Sequence, residues 1–172
     1  MKIVRFIKAV LTVYRYGSDA LDRDPLTGVY NRRYFDKQHI GRKEVERAER
    51  YGSPLSVVLL DIKGFKRIND NHGLLAGDKT LKKVTDLLTR HSRKNDTIVR
   101  LGERADEFLV VMPGTERIGA ERFMTRINEE LAKEGISLNY GVSSWEKGLA
   151  FEQLFQEADV CLRQIKNSHY HT

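Results

Sequence analysis

A single cysteine, Cys161, rules out any disulfide within the chain and suits a reducing, cytoplasmic setting. The five histidines, His39, His72, His91, His169 and His171, make no zinc-type spacing with it. Proline is equally scarce. Pro25, Pro54 and Pro113 are the only three, and each stands at an expected turn, in Asp24-Pro25, Gly52-Ser53-Pro54 and Pro113-Gly114. No stretch approaches the ~20 consecutive apolar residues of a membrane-spanning helix. The first residues also lack the unbroken apolar core and small-residue cleavage site of a signal peptide. Internal repeats and low-complexity linkers are absent too.

What remains is 172 residues with a formal net charge of +6, enough for one domain with a real core. The positive balance suits a polyanionic partner: a nucleotide, a nucleic acid or an acidic membrane surface. Residues 2–20 read as a helix, with Ile3, Phe6, Val10 and Val13 at a/d spacing and Ala20 extending the series. Lys2, Arg5, Lys8 and Arg15 flank it. Dimerisation or folding back is expected of this segment ahead of membrane contact. The domain boundary is set at 1–21 for the helix and 22–172 for the rest.

The remaining chain alternates helix and strand. Asn31 is expected to cap one helix running to Tyr51, ended by Gly52-Ser53-Pro54. Residues 55–62 form a buried strand, 65–71 a short helix, and Gly73 to Gly77 a turn. Asp78 is expected to cap the helix carrying Leu81, Val84 and Leu88. Strands follow at 97–101 and 107–112, then a helix with Ala120, Phe123, Ile127 and Leu131. A strand over 136–142 precedes a last helix with Leu154, Ala158, Cys161 and Ile165 on its apolar stripe. This order predicts an α+β fold: a central, largely antiparallel sheet flanked by helices.

Two acidic stations stand out. Asp61 lies where the buried strand Leu59-Leu60-Asp61-Ile62 gives out, and a carboxylate within such a run would be costly to bury. Taken alone it reads as a cap for the next helix. Asp106 and Glu107 follow a hairpin turn, where acidic residues are ordinary. Together, Asp61 and Asp106 can hold Mg²⁺, which takes few protein carboxylates and completes its shell with phosphate oxygens. Such an ion stabilises in-line attack on an α-phosphate.

At the level of motifs the chain resembles the GGDEF domains of the diguanylate cyclase family. The likeness rests on Asp24-Pro25-Leu26-Thr27-Gly28-Val29-Tyr30-Asn31-Arg32-Arg33, on the strand ending in Asp61 and on Phe65-Lys66-Arg67-Ile68-Asn69-Asp70. It continues through Gly73, Ala76-Gly77-Asp78, Arg100-Leu101-Gly102 and Asp106-Glu107-Phe108 to Ala158-Asp159 and Lys166. Motifs in a fixed order over residues 22–170 are far more specific than one alone. The resemblance implies a palm-like fold and condensation of two GTP into cyclic di-GMP across a homodimer. It implies Asp61, the Ile62 carbonyl and Asp106 as ligands of Mg²⁺ or Mn²⁺, with Asp106 and Glu107 as the catalytic acids. Asn69 and Asp78 would read guanine. Gly64, Phe65, Lys66 and Lys166 would meet phosphates. Arg93 and Asp96, in Arg93-Lys94-Asn95-Asp96, match the family's inhibitory site for cyclic di-GMP. The implied ligands are GTP or cyclic di-GMP rather than nucleic acid, with an upstream sensory partner a further expectation.

The chain departs from the family pattern in one region. Glu103-Arg104-Ala105 separates Gly102 from Asp106, lengthening a hairpin that normally reads Gly-Gly before the acidic pair. Lys63 replaces a second aspartate, Tyr170 replaces an arginine of the closing helix, and Leu74 replaces a histidine. A nucleotide-binding regulatory module with weak or no cyclase activity is therefore expected. An active cyclase is the alternative, and a docking domain without nucleotide the third reading.

Overall fold

The structure is a computed structural model that describes residues 21–102 and 106–168. The expected N-terminal helix, the hairpin residues Glu103, Arg104 and Ala105, and Tyr170 lie outside the described residues. The elements are β1 (Tyr30–Asn31), α1 (Arg32–Lys37), α2 (Ile40–Tyr51), β2 (Leu55–Ile62), α3 (Phe65–His72) and α4 (Leu74–His91). They continue with β3 (Thr97–Arg100), β4 (Glu107–Pro113), α5 (Arg117–Ala132), β5 (Leu138–Ser144) and α6 (Phe151–Ser168). The sheet has the order β1-β3-β4-β2-β5. All its pairings are antiparallel except that of β1 with β3. The expected α+β architecture, a mostly antiparallel sheet flanked by helices, is present.

Helices cover both faces of the sheet, so β2 reads as an unbroken apolar run and not as an alternation. Successive side chains still point to opposite faces. Val58, Leu60 and Ile62 pack with Leu81, Val84 and Leu88 of α4 and with Phe123, Ile127 and Leu131 of α5. Val57 and Leu59 share the other face with Leu109 and Val111 of β4 and Leu154, Ala158 and Leu162 of α6. Residues 57, 59 and 61 have the same parity. Asp61 therefore belongs to the face that α6 covers, and this fact positions the site.

α6 sits very close to the sheet. A Cβ at Gly141 in β5 would collide with the Ala158 carbonyl and come within 2.6 Å of the Leu162 nitrogen. Ser143 Oγ donates to the Leu154 carbonyl at 2.6 Å. The buried stripe of α6 runs Leu154, Ala158, Leu162, one turn apart. The expected positions Cys161 and Ile165 lie at its half-buried margin. One further turn brings Lys166 to the end of the stripe.

Four expectations need correction. The single helix from Asn31 to Tyr51 is two helices, broken where His39 takes a left-handed conformation with φ 51°. The break lets Gly41 approach the Phe151 ring so closely that a Cβ could not fit between them. Gly73 to Gly77 is not a turn: α4 begins at Leu74, so Asp78 lies in its second turn and is no cap. Close packing of Gly77 on α3 outweighs the poor helix propensity of glycine. The strand expected at 136 starts at Leu138, because Ile136 N–H still donates to the Leu131 carbonyl at the end of α5. Finally, the two-residue β1 is too short to leave a periodic signal. Among the described residues no helix is long and apolar enough to cross a membrane.

Candidate functional site

Asp61 is the last but one residue of β2. Its register partners are Glu107 on β4 and Asn139 on β5. Pairing across strands puts all three side chains on the α6 face, side by side at the sheet's end. Asn139, buried in β5, donates from Nδ2 to Asp61 Oδ1 at 3.0 Å. Lys166 descends from α6 and donates to Asp61 Oδ2 at 2.7 Å, with Glu107 Oε1 at 3.3 Å.

Asp106 adjoins this group. Burial raises its carboxyl above the usual carboxylate range, and the charges of Asp61 and Glu107 add to that rise against the pull of Lys166. Burial by itself would lower Lys166, but its hydrogen bond to Asp61 and the charges of Asp61 and Glu107 hold its ammonium above the usual lysine value. Negative charge is thus crowded at the strand ends. Among the described residues no three His, Cys, Asp or Glu side chains form a group able to hold a metal ion. Hard carboxylate oxygens in this number fit Mg²⁺ or Mn²⁺ only when bound phosphate completes the shell, the usual arrangement for nucleotide-borne magnesium.

β2 leads directly into the N-terminus of α3. Gly64 takes φ 71°, the left-handed conformation that glycine adopts without strain. The first turn of α3 carries Phe65 and Lys66, and N–H groups at a helix start suit an anion. A cleft of about 480 Å³ opens here between Asp61, Lys63, Gly64, Lys66, Arg67 and Lys166. Lys63 and Lys66 are exposed on its rim.

A second cleft, of about 800 Å³, lies on the other side of α3. Asn69 and Asp78 line it together with apolar Leu26, Phe65, Leu74 and Leu81. Asn69 Oδ1 is buried and has no hydrogen-bond partner among the described residues. It lies against Gly77, whose missing side chain gives it room. One wall is the ion pair between Arg100 and Asp24, at 3.0 Å, with both side chains almost fully buried. Asp24 Oδ1 also accepts from Thr27 N–H and Thr27 Oγ1, which fixes the loop before β1.

Arg93 and Asp96 meet in a tight turn at the far end of β3 from Arg100 and Gly102. Arg93 N–H donates to Asp96 Oδ2 at 2.7 Å, and Arg93 Nη1 reaches Thr115 Oγ1 at 3.5 Å. Asp96 Oδ1 is buried and without a partner among the described residues. Burial raises the Asp96 carboxyl, against the opposing pull of Arg93.

The fold thus gathers Asp61, Ile62, Gly64, Lys66 and Lys166 around one cleft, with Asp106 and Glu107 next to Asp61 and Lys166. Asn69 and Asp78 belong to a second, and Arg93 and Asp96 stand apart from both. Reading the sequence missed Asn139. Its only signal was a polar side chain within an apolar strand, opposite Asp61 in the register.

The acid-bearing ends of the antiparallel strands β2 and β4, a helix entered through glycine and the cleft of Asn69 and Asp78 thus stand on one palm-like sheet. A sequence model of the family described as "Diguanylate cyclase, GGDEF domain" matches residues 21–172, and the chain belongs to this family. The chain is 34% identical over 154 residues to diguanylate cyclase DgcP of Pseudomonas aeruginosa, matching 84% of this chain and 22% of that protein. It is 32% identical over 150 residues to diguanylate cyclase DgcS of Shewanella oneidensis, matching 84% of this chain and 49% of that one. The chain thus spans half or less of the length of these relatives. The coiled coil and GGDEF domain of DgcB from Caulobacter crescentus, solved with c-di-GMP, superposes with a TM-score of 0.89. At 20% identity over 97% of this chain and 92% of that one, it supports the fold alone. A microbial GGDEF domain solved for its interaction with cyclic di-GMP gives a TM-score of 0.77 at 30% identity, covering 86% and 94% of the two chains.

Proposed function

We propose that residues 22–172 form a guanine-nucleotide-binding regulatory domain of the GGDEF family, with weak or no cyclase activity. The observation that carries this reading is the buried, partnerless Asn69 Oδ1 in the same cleft as Asp78. A buried acceptor without a partner is costly, and a base bearing N–H donors would relieve that cost. Asp78 accepts from the N1–H and exocyclic amine of guanine, while adenine offers no such donor pair to a carboxylate. Leu26, Phe65 and Leu81 supply apolar surface for the ring. The triphosphate then extends past the N-terminus of α3, where Gly64, Phe65 and Lys66 meet it.

Asp61, the Ile62 carbonyl and Asp106 would hold Mg²⁺ or Mn²⁺ there, with Glu107 beside them. When bound, that ion supplies charge to the α-phosphate and acidifies an attacking 3′-hydroxyl. Catalysis also needs a second GTP, presented by a second copy of the chain, and the a/d spacing of apolar residues over 2–20 suits that pairing. Lys63 follows Asp61 and Ile62 in the chain and the lengthened hairpin immediately precedes Asp106, and a displacement of ~1 Å in such a site can cost ~100-fold in rate. Arg93 and Asp96 are proposed as a separate cyclic di-GMP site, for which the partnerless Asp96 Oδ1 offers an acceptor. An input partner is proposed as well; the diguanylate cyclase SiaD, 28% identical to this chain with a TM-score of 0.77, was solved with its activator SiaC.

The second reading is an active cyclase. The in-register pairing of Asp61 with Glu107 favours it, since that geometry keeps the acids together despite the longer hairpin. Incubation with GTP and Mg²⁺, followed by chromatography and mass analysis, separates the two. GTP recovered bound and largely unconverted supports the regulatory module. Rapid formation of cyclic di-GMP, abolished by Asp106→Ala, would establish the cyclase.

A further inference from the structure

Both oxygens of Asp61 are engaged by the protein itself. Oδ1 accepts from Asn139, buried behind it, so its position is set by β5. Oδ2 accepts from Lys166, whose ammonium also reaches Glu107 on the neighbouring strand. This is not a surface ion pair. The Lys166 side chain is 27% exposed and that of Asp61 14%. The ammonium bridges carboxylates from two strands, the task expected of a divalent cation. It is also held there by construction, one helical turn beyond Leu162 and the contact that fixes α6 against Gly141.

We propose that Lys166, held between Asp61 and Glu107, is an internal cation that competes with divalent metal for Asp61. Metal at these oxygens and the Lys166 bridge exclude one another. A metal ion coordinating Asp61 Oδ2 lies ~2 Å from it, too near an ammonium on the same oxygen to be tolerated. The inference rests on the reading of Asp61 as a metal ligand and adds a regulatory consequence to it. Metal entry releases Lys166, and a released lysine at the edge of the phosphate cleft can take an anionic oxygen. Linkage makes the effect reciprocal: an anion that draws Lys166 away must tighten metal binding by the same factor. The site would thus favour metal and phosphate arriving together over either alone.

The test is titration of the chain with Mn²⁺ alone, free ion being read by electron paramagnetic resonance. Lys166→Met should bind Mn²⁺ roughly tenfold more tightly than the wild type, a coupling of ordinary size. Lys166→Arg should not bind it more tightly. Adding inorganic pyrophosphate should tighten Mn²⁺ binding in the wild type beyond what the two ligands do in free solution, and should do so much less in Lys166→Met. Circular dichroism establishes that each variant is folded, and Lys166→Gln replaces Lys166→Met if the latter is not. Unchanged or weaker Mn²⁺ binding in the folded neutral variant would overturn the proposal, as would failure of every variant to bind Mn²⁺. Asp78→Ala separates this from guanine recognition: it should reduce GTP affinity and leave Mn²⁺ affinity as it is. Failure of GTP to bind, with the Lys166 effect intact, would remove the guanine reading and leave the competition standing.

Discussion

The two clefts flanking α3 are built in different ways. The cleft of Asn69 and Asp78 is assembled mostly from two consecutive helices, α3 and α4, joined through Gly73. The cleft of Asp61 and Lys166 brings α3 together with β2, β5 and the last helix, with Glu107 of β4 bound to Lys166 beside it, and these residues are far apart in sequence. Asp61 meets Asn139 across 78 residues and Glu107 meets Lys166 across 59. The first cleft depends on local helix packing. The second depends on strand register, hairpin length and the docking of α6. The departures from the family pattern fall unevenly between them. Lys63 lines the second cleft, and the altered hairpin and Tyr170 are close in sequence to Asp106 and Lys166, while the first cleft keeps its polar pair and changes only at Leu74. Under the proposed function, recognition of a base and chemistry at a phosphate fall to different clefts and are separable by mutation.

The largest effect is expected where the first cleft is anchored to the sheet. Asp24→Ala removes the carboxylate facing the buried Arg100 guanidinium and should cost about 3–5 kcal/mol of stability in urea denaturation. A cost below ~1 kcal/mol would mean the pair is solvated in solution and does not anchor the wall. Gly141→Ala perturbs the second cleft alone. Its Cβ would strike the backbone of α6, so the helix must retreat, at about 1–3 kcal/mol. Because α6 carries Lys166, Mn²⁺ binding should change as well, whereas binding of guanosine, which has no phosphate, should not. Loss of guanosine binding in this variant would show that the clefts are not independent.

Gly77→Ala is the converse. The new methyl group occupies the place of Asn69 Oδ1, a side-chain atom that can swing aside, so little stability should be lost. GTP affinity should fall by about 1–2 kcal/mol, roughly tenfold, as the carboxamide leaves the base. Equal GTP binding by calorimetry would contradict the role given to Asn69.

The smallest effect concerns neither cleft. Burial lifts the Asp96 carboxyl above its ordinary value of 3.8, so the folded chain holds that proton more tightly than the unfolded one. The stability this provides is full below the ordinary value and is lost as pH rises through the higher folded value. Asp96→Asn keeps an acceptor for Arg93 N–H and should flatten that decline. Parallel stability curves for the two proteins between acid and neutral pH would refute the assignment.

Much of this was legible in the sequence, and the exceptions share a cause. The strands β2 to β5 and the helices α3, α5 and α6 follow from apolar periodicity and turn residues, which are local. The acidic stations were visible because Asp61 closes an apolar run and Asp106 follows a turn. The break at His39 was not, because it is fixed by how closely Gly41 packs on Phe151, over a hundred residues away. Asp78 was misplaced as a cap because two glycines normally signal a turn, and only the contact of Gly77 with Asn69 explains their place in a helix. Lys166 looked like a phosphate ligand. Its bridge to Asp61 and Glu107 depends on register and helix docking, which no local pattern encodes.

The central claim is that the chain recognises guanine through Asn69 and Asp78, whatever the state of its acidic site. The most direct measurement is a calorimetric titration of the wild type and Asp78→Ala with GTP and, separately, ATP. The expected result is GTP binding well above ATP in the wild type. Asp78→Ala should lose about 2 kcal/mol for GTP, roughly thirtyfold, with ATP unaffected. Equal affinity for the two nucleotides, or a GTP affinity indifferent to Asp78, would contradict guanine recognition in this cleft.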